Sequence, residues 1–83
     1  MHYNENWAVD HTRATAFFDA QPDVRRTDNG YRYKNCFIAV TALAPNKQGI
    51  FSFPRTHLII QGPDEEATAI HRRFFLHFLS AGG

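Results

Sequence analysis

The sequence predicts an α+β domain: a helix, an antiparallel meander of three or four strands, then a C-terminal helix, with both helices packed on one sheet face. Three stretches carry that prediction. Residues 62–81 form an amphipathic run with a wide apolar arc. Asn29-Gly30 lies between two extended-looking runs, the pair favoured by a two-residue type I′ hairpin. Residues 36–43 are apolar on both alternating faces, as in a central strand covered on two sides.

The first helix is expected over residues 5–21, capped by Asn4 or Asp10, with a shorter version over 10–20 as the alternative. Trp7, His11, Ala14 and Phe18 then share one face, Phe17 flanks it, and Pro22 ends it. A turn at Asn29-Gly30 pairs Asp28 with Tyr31, Arg26 with Tyr33, Arg25 with Lys34 and Val24 with Asn35. One face of this ribbon carries Val24, Tyr31, Tyr33, Phe37 and the stem of Arg26. The other carries Arg25, Thr27, Arg32 and Lys34. The second strand runs on from Tyr31 to Leu43, with Asn35 as a candidate bulge. Residues 44–49 read as a loop, and 50–53 with 57–61 as strand, either at an edge or broken at Pro54.

The last helix has clear signals at both ends. Pro63 suits its first position, and Asp64, Glu65 and Glu66 place negative charge where the helix dipole favours it. Gly82 and Gly83 stop it. At about 100° per residue, Ala67, Ile70, Phe74, Phe78 and Ala81 fall on one core-facing stripe. Phe75 and Leu79 lie beside the stripe and Leu76 nearly opposite. That is more apolar circumference than one small sheet needs. A covering loop accounts for it, or a second chain, most simply in a twofold dimer. The sheet repeats the problem: with both helices on one side, Cys36, Ile38 and Val40 are left on the other.

Size and composition bound the function. A chain of 83 residues makes one domain, 1–83, and its eight Phe, three Tyr and one Trp supply the buried area that a small core needs. Cys36 is the sole cysteine, so no intrachain disulfide forms, which fits a reducing compartment. No signal peptide or membrane span is read, and the expected location is the cytoplasm. Nine basic against eight acidic residues give +1, so net charge makes no case for nucleic acid or membrane.

The candidate chemistry is sparse. Arg25, Arg32 and Lys34 gather like charges on one hairpin face, an arrangement that an anion would relieve, with Tyr31 near the tip to stack a base or fill a partner's pocket. Asp23 and Asp28 neutralising a solvated ribbon is the plainer account. Cys36 with His57 is the one conceivable nucleophile and base. No metal motif or phosphate-cradling glycine loop is present, and no cofactor is expected. In element order (helix, three strands, helix) the chain resembles the double-stranded RNA-binding domain. That family opens its last helix with lysines that meet phosphates. Asp64-Glu65-Glu66 reverses the sign here, so duplex RNA binding of that kind is not expected.

The expected function is therefore a small non-catalytic binding or adaptor protein. It should self-associate as a dimer through the sheet or through Phe75, Leu76 and Leu79, with a further protein as partner. The alternative is an anion- or nucleic-acid-binding module using Arg25, Arg32 and Lys34.

Overall fold

A computed structural model describes residues 2–81, with side chains as far as Leu79. The elements follow in the order β1 (His2–Trp7), α1 (His11–Asp19), β2 (Val24–Thr27), β3 (Gly30–Tyr33), β4 (Cys36–Gln48), β5 (Phe51–Gln61) and α2 (Asp64–Ala81). All five strands join one antiparallel sheet in the spatial order β1-β5-β4-β3-β2. The α+β class holds, with five strands rather than three or four. The stop expected at Gly82 and Gly83 lies outside the described residues.

The extra strand is β1, where a helix was expected from residue 5. Tyr3, Glu5 and Trp7 are half-buried while His2, Asn4 and Asn6 are exposed, a period of two. The shorter first helix is the one that forms. Asp10 caps α1, its Oδ2 accepting from the Thr12 N–H at 3.1 Å. The expected element order (helix, three strands, helix) therefore gives way to one that opens on a strand.

The β2–β3 hairpin turns one step earlier than expected. Asp28 and Asn29 form the turn, and Gly30 pairs with Thr27. Gly30 belongs to β3 because β4 passes close by: a Cβ there would stand 2.1 Å from the Ile38 carbonyl oxygen. Each residue's partner shifts by two, so the faces survive while the pairs change. Arg25 now faces Arg32 rather than Lys34, and Arg26 faces Tyr31.

The expected continuous strand from Tyr31 to Leu43 is two strands. The chain folds back at Lys34-Asn35, where Lys34 takes a left-handed φ of 53° and Tyr33 pairs with Cys36. Glu66 secures this turn, accepting from the Asn35 backbone N–H at 2.9 Å and from its Nδ2 at 3.3 Å. The fold-back reverses two face assignments. Cys36 and Ile38 join Tyr31 and Tyr33 in the core, while Phe37 moves to the opposite side beside Arg32.

The residues expected as a loop continue the β4–β5 hairpin. It closes at Gly49 (φ 63°) and Ile50, and both Pro45 and Pro54 lie within it. The register shifts between Leu43 and Asn46, and Pro54 falls opposite that irregularity, where an absent N–H breaks no ladder bond. Strand β5 is one piece. The hairpin helps stretch the molecule to 42 Å along its long axis.

Thirteen apolar residues form the buried cluster, including Ala67, Ile70, Phe74 and Phe78 of the predicted α2 stripe. Phe74 is its hub. It stacks on Phe18 at 5.5 Å and takes edge contacts from Trp7 at 5.0 Å and Phe17 at 5.5 Å. Phe18 in turn meets Tyr31 at 5.3 Å, and His71 of α2 stacks on Tyr3 at 3.9 Å. These helix contacts all fall on the sheet side that carries Tyr3, Trp7, Tyr31 and Ile38.

Candidate functional site

The opposite side of the sheet is where the candidate residues gather. Register defines its rows. Arg25, Arg32, Phe37, Gln61 and His2 stand in one line across all five strands. Ala39, Ile59 and Asn4 form the next row, and Thr41, His57 and Asn6 the third. Leu43 pairs with Arg55 in the fourth. By alternation along β5, Phe53 and Phe51 extend the same side onto the hairpin arm, their rings stacked at 6.3 Å. Phe37, Ala39, Leu43 and Ile59 are only half-buried there, and Phe51 and Phe53 are 63% and 46% exposed.

Among the described residues the one carboxylate beside these rows is that of Asp23, at the β2 corner. Glu5 points to the covered face, donors for it coming from Trp7 Nε1 and His71 Nε2. Asp10 caps α1, Asp19 lies at its end, Asp28 sits in a turn, and Asp64, Glu65 and Glu66 open α2. Arginines, amides, histidines and half-exposed aromatic rings share this side with Ala39, Thr41, Leu43 and Ile59. His57 is tied to Asn4 through a hydrogen bond between Nε2 and Oδ1.

At the β2 corner of the first row, Arg25, Arg32 and Lys34 line one pocket of about 240 Å³ together with Asp23. The sequence grouped these three cations, and the structure brings them together. Asp23 is already engaged: Arg73 of α2 donates to both its oxygens, at 2.8 and 2.9 Å. That bidentate pair holds the Asp23 carboxyl below its usual range, against the effect of burial. Lys34 Nζ lies 5.4 Å over the Tyr33 ring and adds to the lowering.

Tyr31 does not belong to this site. It is 4% exposed on the covered face, its hydroxyl donating to the Thr15 carbonyl and accepting from Arg26. Burial pushes its phenol above the ordinary range. The aromatic ring beside the cations is Phe37, which faces Arg32 across the ladder.

Cys36 and His57 do not meet as nucleophile and base. Cys36 is fully buried on the covered face, whereas His57 pairs with Thr41 on the other. Burial pushes the Cys36 thiol up, with the Glu66 charge adding to the effect. No group of metal-ligating side chains occurs among the described residues, and no helix there is long and apolar enough to cross a membrane.

On the outer side of α2, Phe75, Leu76 and Leu79 are 40%, 49% and 58% exposed. They share no surface with the Arg25–Arg32 row.

The cue to the uncovered face lies in charge order rather than net charge. Residues 29–63 hold Arg32, Lys34, Lys47 and Arg55 and not one Asp or Glu. All eight acidic residues lie outside that stretch, which supplies three of the five strands. Compared with protein-family models, with curated proteins and with solved structures, the chain matches none.

Proposed function

We propose that this is a non-catalytic binding protein that lays single-stranded nucleic acid on the uncovered face of its sheet. The observation that supports this most is the face on which Arg25, Arg32 and Arg55 accompany Phe37 and Ile59, its one neighbouring carboxylate, Asp23, being already paired with Arg73. Arginines meet phosphates, and a half-exposed ring in line with them offers a base a surface for stacking. Gln61, Asn4 and Asn6 supply neutral hydrogen-bonding groups along the same rows. Self-association through this face is disfavoured by the same charges. A twofold interface would bring arginines of both copies together, with Asp23 already taken by Arg73.

Titration of a fluorescent oligothymidylate of about ten nucleotides, across a salt series, tests the proposal. The expected result is a log affinity that falls linearly with log salt, and a slope shallower by about 0.7 in Arg32→Ala. Salt-insensitive binding, absence of binding at low salt, or equal binding to a duplex would refute it.

A second surface supports the dimer reading. Phe75, Leu76 and Leu79 form an exposed apolar strip on α2, remote from the basic row. A dimer built there leaves the uncovered sheet face of each copy free for a ligand.

A further inference from the structure

The pocket at the corner of the first row points to a more specific ligand. We infer that Arg25, Arg32 and Lys34 take a terminal phosphomonoester, so that the sheet holds the phosphorylated end of a strand. This rests on the single-strand reading above and adds the chemical class of the group that starts the row.

Charge comes first. Arg25, Arg32, Lys34 and Arg73 surround one carboxylate, Asp23, and Arg73 already pairs with it. The three remaining cations have no second carboxylate in the pocket. The carboxylate at the adjoining β3–β4 turn, Glu66, is engaged by the Asn35 N–H groups. An internal phosphodiester brings a single negative charge and two free oxygens. A terminal phosphomonoester brings close to two charges at neutral pH and three acceptor oxygens, a better match to three donors.

Position comes second. Strand β2 is a sheet edge, so the platform extends from the pocket in one direction only, through Phe37, Gln61 and His2. Beyond β2 there is no further strand, and Asp23, its carboxylate held by Arg73, offers no cation to a second phosphate. A strand can begin or end there but cannot run through. Adjacent sheet strands lie about 4.8 Å apart, so a phosphate at Arg32 sets the first sugar and base over Phe37.

Lys34 offers a clean probe. Its φ of 53° suits glycine better than lysine, so Lys34→Gly removes the charge without straining the turn. Three oligothymidylates are compared: 5′-phosphorylated, 3′-phosphorylated and bare at both ends. The expected result is about tenfold tighter binding of one phosphorylated form, with the preference lost in Lys34→Gly. The preference should also shrink below about pH 6, as the phosphomonoester dianion takes up a proton and becomes a monoanion. Equal affinity for all three oligonucleotides overturns the inference and leaves the single-strand reading standing. If no oligonucleotide binds, thymidine monophosphate is titrated by NMR. Shifts confined to the Arg25, Arg32 and Lys34 amides keep the pocket and discard the platform, and no shift discards both.

Discussion

Arg73 of α2 grips both carboxylate oxygens of Asp23, at 2.8 and 2.9 Å, and so removes the one negative charge from a pocket of three cations. The two residues should therefore have opposite effects on anion binding. Arg73→Gln frees the Asp23 charge and weakens binding, while Asp23→Asn strengthens it. Each effect should be about two- to fivefold, the scale of exposed charge pairs, and anisotropy titration reads both. If the two variants move affinity in the same direction, the screening role is wrong. The pair also has a pH signature. The Asp23 pKa is lowered on folding, so its contribution to stability is complete above the unfolded value of about 3.9. It is lost as pH falls through the lower folded value.

Phe37 sits between Arg32 and Gln61 on the uncovered face, half-buried by its neighbours alone. Phe37→Ala is expected to cost about 1–3 kcal/mol of oligonucleotide binding, the range for one base stacked on an aromatic ring. Its thermal midpoint should fall much less than that of Phe74→Ala, which opens a cavity in the core. Wild-type affinity in a folded Phe37→Ala protein would remove the ring from the site.

The outer side of α2 makes a separate prediction. If Phe75 and Leu79 form a dimer contact, Leu79→Asp should give a folded monomer by light scattering and leave oligonucleotide affinity per chain unchanged. A mass that does not change between wild type and variant assigns that strip no role in self-association.

Much of the fold was legible in the sequence because local chemistry specified it. Pro63, the acidic first turn and the Ala67–Ile70–Phe74–Phe78 spacing mark α2 on their own. The places that were not legible each involve a contact made far along the chain. Gly30 looked like a turn residue, yet the Ile38 carbonyl 2.1 Å from its absent Cβ is what demands glycine. Lys34-Asn35 looked like strand because lysine rarely adopts a left-handed φ; Glu66, some thirty positions on, secures that turn. Trp7 sat at helical spacing from His11 and Phe18, and its alternation with Tyr3 and Glu5 mattered only once β5 was there to pair with. At the site, the cations were readable as a group because two-residue slips preserve strand faces. Tyr31 was misplaced beside them, and Phe37 was missed until the second hairpin turned it over.

Cys36 shows how the same geometry silences a reactive group. With its thiol buried against the Gly62 backbone and its pKa raised, it should resist alkylation at neutral pH in the native protein. Complete labelling is expected only in denaturant. Rapid labelling under native conditions would mean that the β3–β4 turn beside Gly62 opens readily.

The N-terminal strand also governs the order of assembly. Strands β2 to β5 are joined by short turns and can zip together as neighbours, but β1 must pair His2 with Gln61 across nearly the whole chain. Closing so long a loop is entropically slow, and its reward arrives only when Tyr3 and Trp7 find His71 and Phe74 on α2. The expected sequence is a meander that forms early and a β1 that docks last, with the β1 amides gaining protection in the final phase of pulse-labelled hydrogen exchange. By the same logic β1 is the clasp that opens first under stress, so His2–Trp7 determine how long the finished domain stays closed.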